Sequence, residues 1–139
     1  MTRQQEQDQE NQTEVVRVVL LANQPRMLRE MLHRALLKTP GLQLVFEVEE
    51  PDLIARVLDH IDADWLITSL TSEQKLQSTV QQALEQKPSL SIIGVSEDGS
   101  HVEVYMPVQN EVRHDRRHYS LNNISLANLL SILRKRQTL

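Results

Sequence analysis

The chain has no cysteine, which excludes disulfide bridges, thiolate metal sites and a cysteine nucleophile. Glycine is nearly as scarce, three residues in all. That is too few for a phosphate-cradling loop or a dinucleotide fingerprint, which need several at fixed spacing, and no G-x-S-x-G elbow exists to expose a serine nucleophile. Aromatic residues amount to one Trp, one Phe and two Tyr. The core must therefore be aliphatic, and nothing offers a stacking platform for nucleic-acid bases. No apolar run approaches the ~18–20 residues that span a bilayer. A formal net charge of −4 gives no general attraction to nucleic acid or anionic lipid. These absences lead us to expect a soluble, cytoplasmic protein with no cofactor, no metal and no small-molecule substrate.

What is present divides the chain in two. Residues 1–14 are almost entirely polar and lack the apolar segment of a signal peptide, so the composition predicts a disordered tail. From Val15 the pattern changes, and residues 15–139 read as a single domain of ordinary size. Val15 to Leu21 is a β-branched and aliphatic run broken only by Arg17, the pattern of a strand buried on both faces. Met27, Leu28, Met31, Leu32, Ala35 and Leu36 then recur at helical spacing between Pro25 and Pro40-Gly41. Leu42 to Val48 reads as a second strand, and Pro51 opens a second helix through Leu53, Ile54, Val57, Leu58 and Ile61. The cycle repeats with a strand at Trp65 to Ile67, a polar helix from Ser72 to Gln86, and a strand from Leu90 to Val95. Such alternation predicts a parallel sheet with helices on both sides.

Beyond Glu97 the rhythm breaks. Val102, Val104 and Met106 alternate with other residues, and Pro107 forbids a helix through that point. Ser125 then caps a last helix through Leu126, Leu129, Leu130, Ile132 and Leu133, with Arg134, Lys135 and Arg136 at its end.

In order and spacing the chain resembles a two-component receiver domain. Leu20-Leu21-Ala22-Asn23-Gln24-Pro25 with Met27 to Leu32 is similar to a receiver's first strand, acidic pair and first helix. Pro40 to Val45 is similar to the entry into its second strand, Asp64 to Leu70 to its third, and Tyr119 to Leu130 to its fifth strand and last helix. The resemblance implies a doubly wound, flavodoxin-like α/β sandwich in which the fourth helix is replaced by extended chain or a hairpin.

It also implies that the family's chemistry is gone. A receiver holds Mg²⁺ with carboxylates and phosphorylates an aspartate. Here the acidic pair falls on Ala22 and Asn23, the nucleophile on Ser69, and the conserved lysine on Asn122; the family's hydroxyl residue is kept as Ser96. Ser69 cannot form an acyl phosphate. The expected function is that of a non-enzymatic, phosphorylation-independent signalling module that binds a protein partner or a second copy of itself.

The interface is expected on residues 97–121 and the last helix, with Val102, Val104, Tyr105, Met106, Arg116, Arg117 and Tyr119 as candidates, because an exposed strand edge or apolar patch marks interfaces. A hairpin between this segment and Arg117 to Leu121 that merely extends the sheet is the open alternative. Two other functions are weighed against this one: phosphoryl acceptance by a displaced carboxylate such as Asp64, and nucleic-acid binding by Arg113, Arg116, Arg117, Arg134, Lys135 and Arg136. His114 and His118 stand at a helical spacing but read as a solvated loop, and His33 and His60 as surface residues.

Overall fold

The computed structural model describes residues 15–21, 26–107 and 116–135; the predicted tail lies outside them. The first strand, β1 (Val16–Leu21), leads to α1 (Arg26–Lys38) and β2 (Leu42–Val48). A single 3-10 turn begun by Pro51 runs into α2 (Ile54–His60), followed by β3 (Trp65–Ser69), α3 (Ser78–Gln86) and β4 (Ser91–Val95). The chain ends with β5 (His101–Pro107), β6 (Arg116–Asn122) and α4 (Leu126–Lys135).

The six strands form one mixed sheet in the order β2-β1-β3-β4-β5-β6. β1 is parallel to β2 and β3, and β3 to β4. β5 is antiparallel to both β4 and β6. The protein is thus a mixed α/β fold with four helices among the described residues. Where a parallel strand would require a crossover of a dozen or more residues, the chain turns back on itself after β4. Asp98 and Gly99 make that turn. Gly99 takes a left-handed φ of 79°, and the Asp98 carboxylate accepts from the Ser96 hydroxyl and from the backbone and hydroxyl of Ser100. Those donors hold the Asp98 carboxyl at a pKa of about 2.

Two apolar layers flank the sheet. On one face Leu32 and Leu36 of α1 and Leu129 and Leu133 of α4 pack with Trp65, Ile67, Ile93, Val102 and Val104. On the other, Ile54 and Leu58 of α2 and Val80 and Ala83 of α3 pack with Val19, Leu66 and Ile92. Period-two alternation along β3, β4 and β5 supplies both layers. α4 starts as the sequence predicts, with the Ser125 hydroxyl accepting from the backbone of Asn128 at 3.1 Å.

Two expectations need correction. The third helix begins at Ser78, six residues later than Ser72. Thr71 to Lys75 instead form a turn closed by Thr71 N–H to Lys75 O at 2.8 Å, with Gln74 in a left-handed conformation. The gain is that Leu70 and Leu76 reach the core. Both lie against Gly94, where an added Cβ would stand 2.3 Å from Leu70 Cδ2. Gly94→Ala is therefore expected to force Leu70 from its place and cost about 1–3 kcal/mol in urea unfolding. A neutral result would mean that the 70–77 loop yields without loss.

The second correction concerns the expected interface. Val102, Val104 and Met106 are buried, because β5 is an interior strand whose apolar side α4 covers. The hairpin alternative is what the pairing of β5 with β6 shows. Of the remaining candidates, Arg117 is exposed, Tyr105 and Tyr119 are half-buried, and the Arg116 side chain lies outside the described residues.

Candidate functional site

Open α/β sheets bind ligands at the carboxyl ends of their parallel strands. Ser69 stands there as the last residue of β3, and Ser96 directly follows the neighbouring β4. Ser69 pairs with Val95, so the alternation of side chains turns Ser69 and Ser96 to opposite faces. The Ser69 hydroxyl is buried without a hydrogen-bond partner among the described residues. The Ser96 hydroxyl donates to Asp98 and accepts from the His101 backbone, and so belongs to the turn.

Asn122, expected to join them, sits on β6, two strands from β4 and roughly 10 Å away by strand spacing. It binds His101 instead. Ala22 and Asn23 lie outside the described residues. Asp64, the proposed displaced acceptor, precedes β3 and takes the backbone N–H of Arg17 at 2.8 Å. It is at the opposite end of the strand from Ser69, roughly 16 Å along the chain. It does not reach the strand ends.

The structure brings together a group that the sequence reading missed. His101, Glu103 and Tyr105 alternate along one side of β5, opposite Asn122, Ser120 and His118 of β6. Glu103 is the one buried acidic or basic side chain among the described residues. Its Oε2 accepts from the Ser120 hydroxyl at 2.7 Å and from His101 Nε2, and its Oε1 accepts from His118 Nε2. His101 Nδ1 lies 2.6 Å from Asn122 Oδ1. The His118 ring stacks on Tyr105 with centroids 4.2 Å apart.

The electrostatics follow from these contacts. Burial opposes ionisation of Glu103, but hydrogen bonds from Ser120, His118 and His101 outweigh it and hold the carboxyl below its ordinary range. The hydrogen bond to Asn122, followed by that to Glu103, raises the His101 pKa. Burial, with the Glu103 charge, raises that of Tyr105. One signal for the group was available: His-x-Glu-x-Tyr and His-x-Ser-x-Asn share the period of a strand, so each set lines one side.

Comparison with protein-family models, curated proteins and solved structures yields no match. The chemistry must be read from the chain itself. Among the described residues no group of three or more His, Asp or Glu is placed to hold a metal ion, and no helix is long and apolar enough to cross a membrane. The Glu103 group is closed on itself: the carboxylate is met by donors from both strands.

Among the depressions lined by described residues, two stand out beyond it. One, of about 510 Å³ between α1 and β2, is charged, and there His33 Nδ1 meets Glu47 Oε2 at 2.9 Å. The other, of about 390 Å³, is apolar and opens between α1 and α4 beside the β4–β5 turn. Met31, Val95, Ile124, Leu126 and Leu129 line it, with Glu97 and Asp98 alongside. Met31 is 45% exposed there. Of the basic residues considered for nucleic acid, Arg117 and Arg134 are exposed on β6 and α4, whereas Arg113, Arg136 and the Arg116 and Lys135 side chains lie outside the described residues. His114 lies outside them too, and His118 stands on a strand. His60 is exposed and donates from Nδ1 to the Arg56 carbonyl at 2.9 Å.

Proposed function

We propose that the protein is a phosphorylation-independent, receiver-like module that acts by binding another protein. The observation that carries this reading is Ser69: the strand end where a receiver keeps its nucleophilic carboxylate holds a buried, neutral hydroxyl. The parallel strands in the order β2-β1-β3-β4 support the likeness. The commitment of Ser96 and Asp98 to the turn supports the loss of chemistry, since neither is left to bind a phosphoryl group or its metal. The apolar depression between α1 and α4 supplies the docking surface for a partner's apolar side chains.

Incubation of the whole chain with Mg²⁺ and acetyl phosphate is expected to give no phosphoprotein by mass spectrometry. Ser69→Asp is expected to give none either, because the positions of the acidic pair, Ala22 and Asn23, carry no charge to hold the metal. An acyl phosphate on the unaltered chain would sink the reading. A photo-cross-linking side chain at position 31 should yield a discrete protein adduct in the native cell, and the same group at the exposed Arg134 should not. Identical labelling from both positions would remove the proposed surface.

A further inference from the structure

We propose that His101, held between Glu103 and Asn122, forms a proton-linked latch that fastens the edge strand β6 to β5 in mildly acidic solution and loosens it as the solution becomes alkaline. β6 has a partner strand only in β5 among the described residues. Besides the stack of His118 on Tyr105, three side-chain hydrogen bonds among the described residues reinforce that seam: His101 with Asn122, Glu103 with Ser120, and Glu103 with His118. Two of the three depend on an imidazole.

Proton count makes the latch responsive. His101 meets acceptors at both ring nitrogens, Asn122 Oδ1 and Glu103 Oε2. Only the imidazolium carries two N–H groups. Once neutral, His101 keeps one donor and must give up a contact or have the Asn122 amide turn over. At the same time the buried Glu103 carboxylate loses the positive charge of His101 beside it, and an incompletely compensated buried charge is destabilising.

The other groups facing the cluster favour the charged state. Asp98 in the adjoining turn adds a negative charge near His101. Tyr105 is neutral at these pH values, its pKa raised by burial. From β4 the neighbour of Glu103 is Gly94, which carries no charge and has Leu70 and Leu76 against it. No lysine or arginine among the described residues is hydrogen-bonded to Glu103 to replace the His101 charge.

The direction of the response follows from the two shifts. The raised His101 pKa makes its contribution complete below its ordinary value of 6.5, fading as pH climbs through the raised one. The lowered Glu103 pKa makes its contribution complete above 4.5, fading as pH falls through the lowered one. The latch is therefore tightest between 4.5 and 6.5.

Hydrogen exchange of the whole chain, followed by NMR at pH 5.5 and 8.5 and corrected for intrinsic rates, tests this. Protection of β5 and β6 amides, taken as a ratio to β3 amides, is expected to drop at the higher pH by about tenfold for each unit by which folding displaces the imidazole pKa. Glu103→Gln, which keeps shape but not charge, is expected to flatten that dependence. His101→Gln serves as a second variant should Glu103→Gln fold poorly. An unaltered chain with the same ratio at both pH values would overturn the latch, as would the full dependence persisting in either folded variant.

Discussion

Val104→Asp is expected to leave the protein without a stable fold at 25 °C. Val104 is fully buried in the layer that joins α1 and α4 to the sheet, and it pairs with Ile93 on one side and Tyr119 on the other. An aspartate there has no cationic partner in a layer of Leu, Ile, Val and Trp. Burying a lone carboxylate costs several kcal/mol even after relaxation, against a total stability of about 5–15 kcal/mol for a domain. The expected result is an unfolded circular-dichroism spectrum, or a loss of more than about 4 kcal/mol in urea. Arg117→Ala, on the exposed part of β6, should stay within about 0.5 kcal/mol of the original. A stable Val104→Asp protein would return β5 to the surface.

Trp65→Ala is expected to lower stability by about 3–5 kcal/mol. Trp65 is the largest fully buried side chain and begins β3, between Val18 of β1 and Ser91 of β4. Truncation removes the contacts of an entire indole and leaves a cavity in the layer beneath α1 and α4. Its Nε1 has no hydrogen-bond partner among the described residues. Trp65→Phe removes that buried donor together with some area, and the two effects oppose one another, so the change should stay under about 1.5 kcal/mol. Equilibrium unfolding followed by far-ultraviolet circular dichroism measures both variants, because neither retains tryptophan fluorescence. An alanine variant that lost less than the phenylalanine one would contradict the burial.

β3 and β4 were legible because they are buried on both faces and so read as near-continuous aliphatic runs. α4 was legible from Ser125 and the spacing of Leu126, Leu129, Leu130 and Leu133. The start of α3 was not, since Ser72 to Gln77 is polar enough to pass for an exposed helical turn until Leu76 is seen to be buried. Val102, Val104 and Met106 posed a different difficulty. An alternating strand looks the same in sequence whether its apolar side meets solvent or a helix, and only the position of α4 decides. Glu103 was missed for the converse reason. A carboxylate between two valines reads as the solvent-facing half of a strand, and its burial depends on residues of β6 that lie far along the chain.

The reversal after β4 divides the protein by the distance in sequence that its contacts must bridge. β1 and β3 meet only when residues 47 apart, such as Arg17 and Asp64, come together. β4 and β5 need only the turn at Asp98-Gly99, since Ser96 already bonds His101 across it. Loop closure is entropically cheaper over short separations, and folding speed follows the mean separation of contacts. The β4–β5 hairpin is accordingly poised to form early and offer a preformed edge, at β4, on which β3 and then β1 assemble. The antiparallel third of the sheet would act as the template for the parallel part.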